Sequence, residues 1–327
     1  MKKMATFFDE GDNGIVCRLC PRHCFLSDGQ IGFCKTRKNE NGILYTINYG
    51  EISSIAMDPI EKKPLFHFRP GSKILSIGSW GCNFSCGFCQ NWEISQVKPA
   101  VKTVTPSQIV EIAKTRNSNG IAYTYNEPIV SYEFVLDTSR IAHKEGLYNV
   151  LVTNGYIEFE PLNVLLQSID AMNIDLKGSN EEFYKEMGGS YSQVLKVIET
   201  AKNRGVHVEV TTLVIPTKND DEKELIQEFK DLAKIDKDIP LHLSRYFPAY
   251  KYEIPPTPIE TLEKLYSIAK EYLNFVYIGN VFEPRYESTF CPDCGTQLIY
   301  REGYNVDIKN ITEGGYCKVC GRKVVVT

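Results

Sequence analysis

No apolar run in this 327-residue sequence approaches the roughly 20 residues that a membrane-spanning helix needs. Nor is there a long run of one charge sign. The net charge is only −4, which argues against a nucleic-acid channel or an anionic membrane surface as partner. Met1 to Glu10 hold no apolar core of signal-peptide length, so a cytoplasmic protein is expected. The chain is not poor in core-forming residues either: 43% are hydrophobic, so disorder is not expected to dominate. This length suits one large α/β domain with small appendages.

What is abundant is cysteine. Eleven cysteines without export point to metal ligation in a reducing compartment rather than to disulfides. They divide into four early, three central and four late, with none left over.

The central three lie in Trp80-Gly81-Cys82-Asn83-Phe84-Ser85-Cys86-Gly87-Phe88-Cys89-Gln90-Asn91-Trp92. A loop this short, with glycines just ahead of Cys82 and Cys89, can turn three thiolates toward one point. Cubane iron–sulfur clusters normally take four cysteines, so three leave one iron open for a small ligand.

The early group is Cys17-x-x-Cys20-Pro21-Arg22-His23-Cys24, then Cys34. Four thiols within 18 residues read as one metal knuckle. The pair two apart suits zinc, whereas a third cysteine so close and the Cys20-Pro21 step suit a ferredoxin-like loop. Zinc is the expectation, because Cys34 stands well beyond the tight trio. The late group, Cys291-x-x-Cys294-Gly295 and Cys317-x-x-Cys320-Gly321, is a zinc ribbon. It braces a tail too small to fold alone, or docks a partner. His67, between Phe66 and Phe68, is expected to be a packed polar residue.

Between the knuckles the pattern is strand, loop, helix, repeated. Strands are expected at Ile74 to Ile77, Ile121 to Tyr125, Asn149 to Val152, Ala171 to Ile174, Val206 to Val214 and Leu241 to Leu243, with Phe275 to Ile278 a candidate seventh. Thr105, Ser190, the Asn219 to Glu222 stretch and Thr257 resemble capping boxes. Gly120, Gly146 and Gly205 are expected to close helices. Alternating units imply a parallel sheet with functional groups beyond the carboxyl ends of its strands. There stand Asn126 and Glu127, Asn154, Asp175 and Lys177, Thr211 and Thr212, and His242 with Ser244. Such polar ends on one rim, with the cysteine loop on the first, are hard to explain by packing.

On the cysteine loop, Asp58-Pro59-Ile60-Glu61-Lys62-Lys63-Pro64, Tyr123-Thr124-Tyr125-Asn126-Glu127-Pro128 and Asn173-Ile174-Asp175-Leu176-Lys177-Gly178, the chain resembles the radical S-adenosylmethionine (SAM) superfamily. It is similar in particular to activating enzymes of the pyruvate formate-lyase type and to AmmeMemoRadiSam-system enzymes. The resemblance implies an α/β fold, a partial (β/α)6 barrel over 73–284, with the four-cysteine knuckle and a strand region at 1–72 and the zinc ribbon at 285–327. It implies a 4Fe-4S cluster on Cys82, Cys86 and Cys89 whose open iron is chelated by SAM. Asn126 and Glu127 stand where the superfamily's Gly-Gly-Glu meets the SAM amino group, though no Gly-Gly occurs here. Asp175 and Lys177 match the Asp-x-Lys of glycyl-radical activases, and His242 a strand histidine near SAM. Thr212 and Asn280 complete the expected cofactor contacts. An electron donor such as flavodoxin or ferredoxin and a protein or small-molecule substrate follow. A non-catalytic electron-transfer protein would instead bind no SAM, and it offers no reason for the polar rim.

Overall fold

The computed structural model describes residues 1–327. Its centre is an eight-stranded sheet: β1 (Ser54–Pro59), β2 (Lys73–Gly78), β3 (Gly120–Tyr123), β4 (Tyr148–Thr153), β5 (Ala171–Asp175), β6 (His207–Val214), β7 (Leu241–Arg245) and β8 (Val276–Gly279). They lie side by side in chain order, and the edge strands β1 and β8 do not pair, so the sheet is open. From β2 onward each pair is parallel. Only β1 runs antiparallel, against β2. The candidate seventh strand thus joins the six expected ones. A domain boundary at residue 72 would cut this sheet, because Pro59 pairs with Lys73.

Five long helices, α1 (Pro106–Thr115), α2 (Tyr132–Lys144), α3 (Tyr191–Asn203), α4 (Glu222–Ile235) and α5 (Ile259–Ala269), accompany the strands. Their apolar stripes face inward: Ile109 and Ala113 of α1, and Leu225, Phe229 and Leu232 of α4, are fully buried. That spacing of three and four is the inner face of a helix. Thr105 closes the expected capping box with Gln108, each side chain taking the other's backbone N–H. Ser190 caps α3 through Gln193, and Asp221 caps α4. Thr257 caps nothing. Its hydroxyl accepts from the Tyr246 N–H and donates to the Val214 carbonyl, joining two strand ends. Gly120 also differs from expectation, since it opens β3 rather than closing a helix. A Cβ there would lie 2.3 Å from the Tyr148 carbonyl oxygen, so glycine is required by close strand approach.

Ahead of β1, two small antiparallel sheets pack on the same core. Ala5, Phe7, Ile15 and Leu19 belong to one 61-residue apolar cluster with Leu75, Tyr132 and Leu151. A buried ion pair ties this region to α2: Arg37 donates from both terminal nitrogens to Glu133, each at 2.9 Å. Removing one member of such a pair strands a buried charge. The C-terminal segment forms a three-stranded sheet, Thr289–Phe290, Gln297–Glu302 and Asn305–Ile308, with its own apolar cluster against Phe275 and Tyr277. His67 locks the two together. Its ring meets the Val324 carbonyl oxygen at 2.8 Å and the Tyr277 hydroxyl at 2.6 Å, and burial holds its pKa down to about 4.

Candidate active site

Parallel strands deliver their carboxyl ends to one rim. There a cavity of about 630 Å³ is lined by Cys82, Cys86 and Cys89, by Asn126 and Glu127, and by Asp175, Lys177 and Asn280. Residues from β2, β3, β5 and β8 ends that are far apart in sequence therefore converge.

The cysteine loop follows β2 directly and is held from several sides. Gly81 takes a positive φ of 87°, and its N–H donates to the Ile94 carbonyl. Asn126 braces the loop's entry: its Oδ1 accepts from the Ser79 N–H at 2.8 Å and its Nδ2 donates to the Gly81 carbonyl at 3.0 Å. Farther along, the Gly87 carbonyl accepts from the Lys251 N–H, and a Cβ on Gly87 would lie 2.5 Å from the Tyr252 ring. Phe88 stacks on Phe183, and Trp92 on Tyr250 with centroids 5.1 Å apart. Around the sulfurs, the Phe84 N–H donates to Cys82 Sγ at 3.3 Å and Ser95 Oγ lies 3.2 Å from Cys89 Sγ. Hydrogen bonds to sulfur of this kind tune a bound cluster.

Glu127 is buried and accepts three hydrogen bonds: from the Ile129 N–H (3.0 Å), the Thr153 hydroxyl (2.7 Å) and the Asn154 N–H (2.8 Å). Burial pushes its carboxyl up to about 7, against those three bonds, which favour the charge. Two bonds fall on Oε1 and one on Oε2, so a carboxylate with about four acceptor positions keeps one free. Lys177 contacts Asp175 at 3.2 Å. Burial pulls the Lys177 pKa down, but Asp175 outweighs it, and the ammonium is held above its ordinary range. Asn280, at φ +60°, donates to Ser244 Oγ and the Arg245 carbonyl, both at 3.1 Å.

Two expected contacts lie elsewhere. Thr212 does not line the cavity; its hydroxyl donates to the buried Glu228 at 2.5 Å, toward α4. Its neighbour Thr211 lines the cavity instead, because successive strand residues face opposite ways. His242 sits one layer below, two residues before the cavity-lining Ser244. It holds Glu209 Oε2 at 2.8 Å and stacks on Tyr277. Glu209 is saturated by His242, His207 and the Phe66 and His67 N–H groups.

Nothing in the sequence assigns Asp58 to Lys63 a role at the site. Lys62, Lys63 and Tyr125 all line the cavity. Asp58 accepts from Lys63 (2.7 Å), Lys62 (2.9 Å) and the Tyr125 hydroxyl (2.6 Å). Burial favours the neutral acid, but those bonds outweigh it and hold the Asp58 carboxyl well below the usual range. Tyr125 takes φ +73°, an unfavourable conformation for a bulky residue, as is found where a site dictates the backbone. The Asp58-x-x-x-Lys62-Lys63 spacing was the available signal.

The late cysteines form a different kind of site. Cys291 and Cys320 sulfurs are 3.4 Å apart, and Cys294 and Cys317 3.7 Å. All four lie within 4.8 Å of one another. Four Zn–S bonds of about 2.3 Å at tetrahedral angles put sulfurs about 3.8 Å apart, so the set fits one zinc ion. Cys82, Cys86 and Cys89 do not gather to that spacing. They stand round a cavity, as ligands to a multi-metal cluster would.

Comparison with known proteins gives four findings. The family model described as the radical SAM superfamily matches residues 77–229. A protein described as uncharacterized protein MJ0808 of Methanocaldococcus jannaschii is 48% identical over 98% of each chain. Pyruvate formate-lyase 1-activating enzyme of Escherichia coli K12 is 27% identical, covering 62% of this chain and 90% of its own. Among solved structures, SuiB of Streptococcus suis bound to S-adenosylmethionine superposes with TM-score 0.51 at 13% identity, over 61% of this chain and 48% of that one. That is a likeness of fold. No helix is long and apolar enough to cross a membrane.

Proposed function

The chain belongs to the radical SAM superfamily, and from that premise we propose that it is an enzyme of the activating-enzyme type whose substrate is a protein. In this reading Cys82, Cys86 and Cys89 hold a 4Fe-4S cluster and the adjoining cavity holds SAM. The fold is then a partial barrel built round that cavity, with the zinc ribbon packed against Phe275 and Tyr277. When bound, the cluster and SAM together supply reductive cleavage of the sulfonium bond and a 5′-deoxyadenosyl radical that takes hydrogen from the substrate.

The observation that carries the reading is the convergence of three open-spaced thiols, Glu127 and the Asp175–Lys177 pair on one cavity. Glu127 offers its remaining acceptor position to the SAM ammonium. Lys177 and Lys63 offer cations to a carboxylate, and each is held in place by its own aspartate. Asn126 positions the cysteine loop through Ser79 and Gly81. Phe84 and Phe88 give the cavity its apolar wall beside the sulfurs, which limits water near a reactive intermediate. The likeness to pyruvate formate-lyase 1-activating enzyme supports a protein substrate, with a backbone glycine hydrogen as the atom removed. A low-potential one-electron carrier of the flavodoxin or ferredoxin type supplies the electron, in a reducing cytoplasm.

The test uses reduced, reconstituted protein, SAM and candidate protein substrates carrying deuterated glycine. Deuterium appearing in 5′-deoxyadenosine supports the reading. Transfer only from small molecules would overturn the protein-substrate part.

A further inference from the structure

The four early cysteines do not resemble the zinc ribbon. Cys17, Cys20, Cys24 and Cys34 all line one pocket, yet they do not form a set with sulfurs within 4.8 Å of one another. Zinc requires sulfurs about 3.8 Å apart, and the ribbon of this same chain reaches 3.4 and 3.7 Å. Like Cys82, Cys86 and Cys89, the early thiols stand farther apart than ligands to one zinc ion.

A second observation concerns Arg37, which lines the same pocket. Its two terminal nitrogens are engaged by Glu133, but its Nε–H is buried without a partner. Such a donor leaves a desolvation penalty unless something accepts from it, and sulfide or thiolate sulfur is a natural acceptor. Leu19, Ile129 and Val130 complete an apolar wall.

We propose that Cys17, Cys20, Cys24 and Cys34 ligate a second iron–sulfur cluster of the four-iron class, in place of the zinc expected from their spacing. Arg37 Nε–H is its hydrogen-bond donor. This site abuts the first: a Cβ on Gly81 would lie 2.5 Å from the Cys34 carbonyl oxygen, and Asn83, next to Cys82, lines the early pocket. Arg22 also joins the two, donating from Nε to the Asn83 carbonyl at 2.6 Å.

The test is metal, sulfide and spectroscopic analysis of the full chain after anaerobic reconstitution. About eight irons and one zinc per chain are expected. Cys20→Ala/Cys24→Ala should lose about half the iron and keep its zinc, and its remaining reduced-cluster paramagnetic signal should still change on adding SAM. The complementary Cys82→Ala/Cys86→Ala/Cys89→Ala protein should keep about four irons, with a signal indifferent to SAM. About four irons and two zincs in the wild type, with zinc halved in the first variant, would overturn the proposal. So would a triple variant that binds no iron while keeping its zinc and its melting transition. Failure of SAM to perturb any signal bears on the first cluster alone, so the two readings fail separately.

Discussion

Glu127→Gln probes the cavity with the least change of shape. In the wild type, the carboxylate has one acceptor position left after Ile129, Thr153 and Asn154. A charge-assisted hydrogen bond to an ammonium contributes about 1.5–3 kcal/mol, so its loss weakens SAM binding about ten- to a hundredfold at pH 8. The amide oxygen can keep the Ile129 and Thr153 bonds, but its NH2 then faces the Asn154 N–H. Opposing two donors costs the fold about 1–3 kcal/mol, so the melting temperature must be measured beside affinity. The wild type also carries a pH signature. Its folded-state carboxyl is raised from 4.5 to about 7, so the folded chain retains a proton that the unfolded chain has released. Stability therefore falls as pH rises between those values and levels off above. SAM affinity runs the other way, weakening as pH drops through about 7 and Glu127 becomes neutral. Glu127→Gln should flatten both profiles. Calorimetric titration of reconstituted protein with SAM from pH 6 to 8 measures this. Equal affinity of variant and wild type at pH 8, or a wild-type affinity constant over that range, would refute the assignment.

Thr212→Val removes the hydroxyl that donates to buried Glu228 and should destabilise the protein by about 1–3 kcal/mol in urea, leaving SAM affinity unchanged; a selective loss of SAM binding would return Thr212 to the site. His242→Phe should likewise lower stability through Glu209 without changing SAM affinity, as read by the same titration. Cys294→Ala/Cys320→Ala should release the single ribbon zinc and lower the melting temperature, because the ribbon's apolar cluster packs on Phe275 and Tyr277. An unchanged melting temperature with zinc absent would separate the metal from the packing.

Much of this fold was legible in the chain. The parallel strands from Ile74 to Ile278 are legible as short apolar or alternating runs, and Thr105 and Ser190 mark helix starts by local chemistry that nearby residues suffice to complete. The cysteine loop was legible for the same reason. What was not legible depends on distant partners. Alternation could not say which of Thr211 and Thr212 faces inward, because that phase is set by where α4 lies. His242 has a cavity-facing direction but sits a layer too deep, as only its contacts with Glu209 and Tyr277 reveal. Thr257 reads as a cap until Tyr246 and Val214 claim its hydroxyl. Asp58 and Lys63 are adjacent to the site only because β1 runs back along β2. The cysteine count leaves zinc and a cluster both open for the early knuckle, because spacing along the chain does not say whether four sulfurs meet at a point or surround a space.

Product analysis decides whether Cys82, Cys86 and Cys89 power radical chemistry on SAM. Anaerobically reduced wild type should convert SAM to 5′-deoxyadenosine and methionine, and Cys86→Ala should make neither while keeping its melting transition and ribbon zinc. Undiminished 5′-deoxyadenosine from the Cys82→Ala/Cys86→Ala/Cys89→Ala protein would show that these three cysteines do not drive the cleavage.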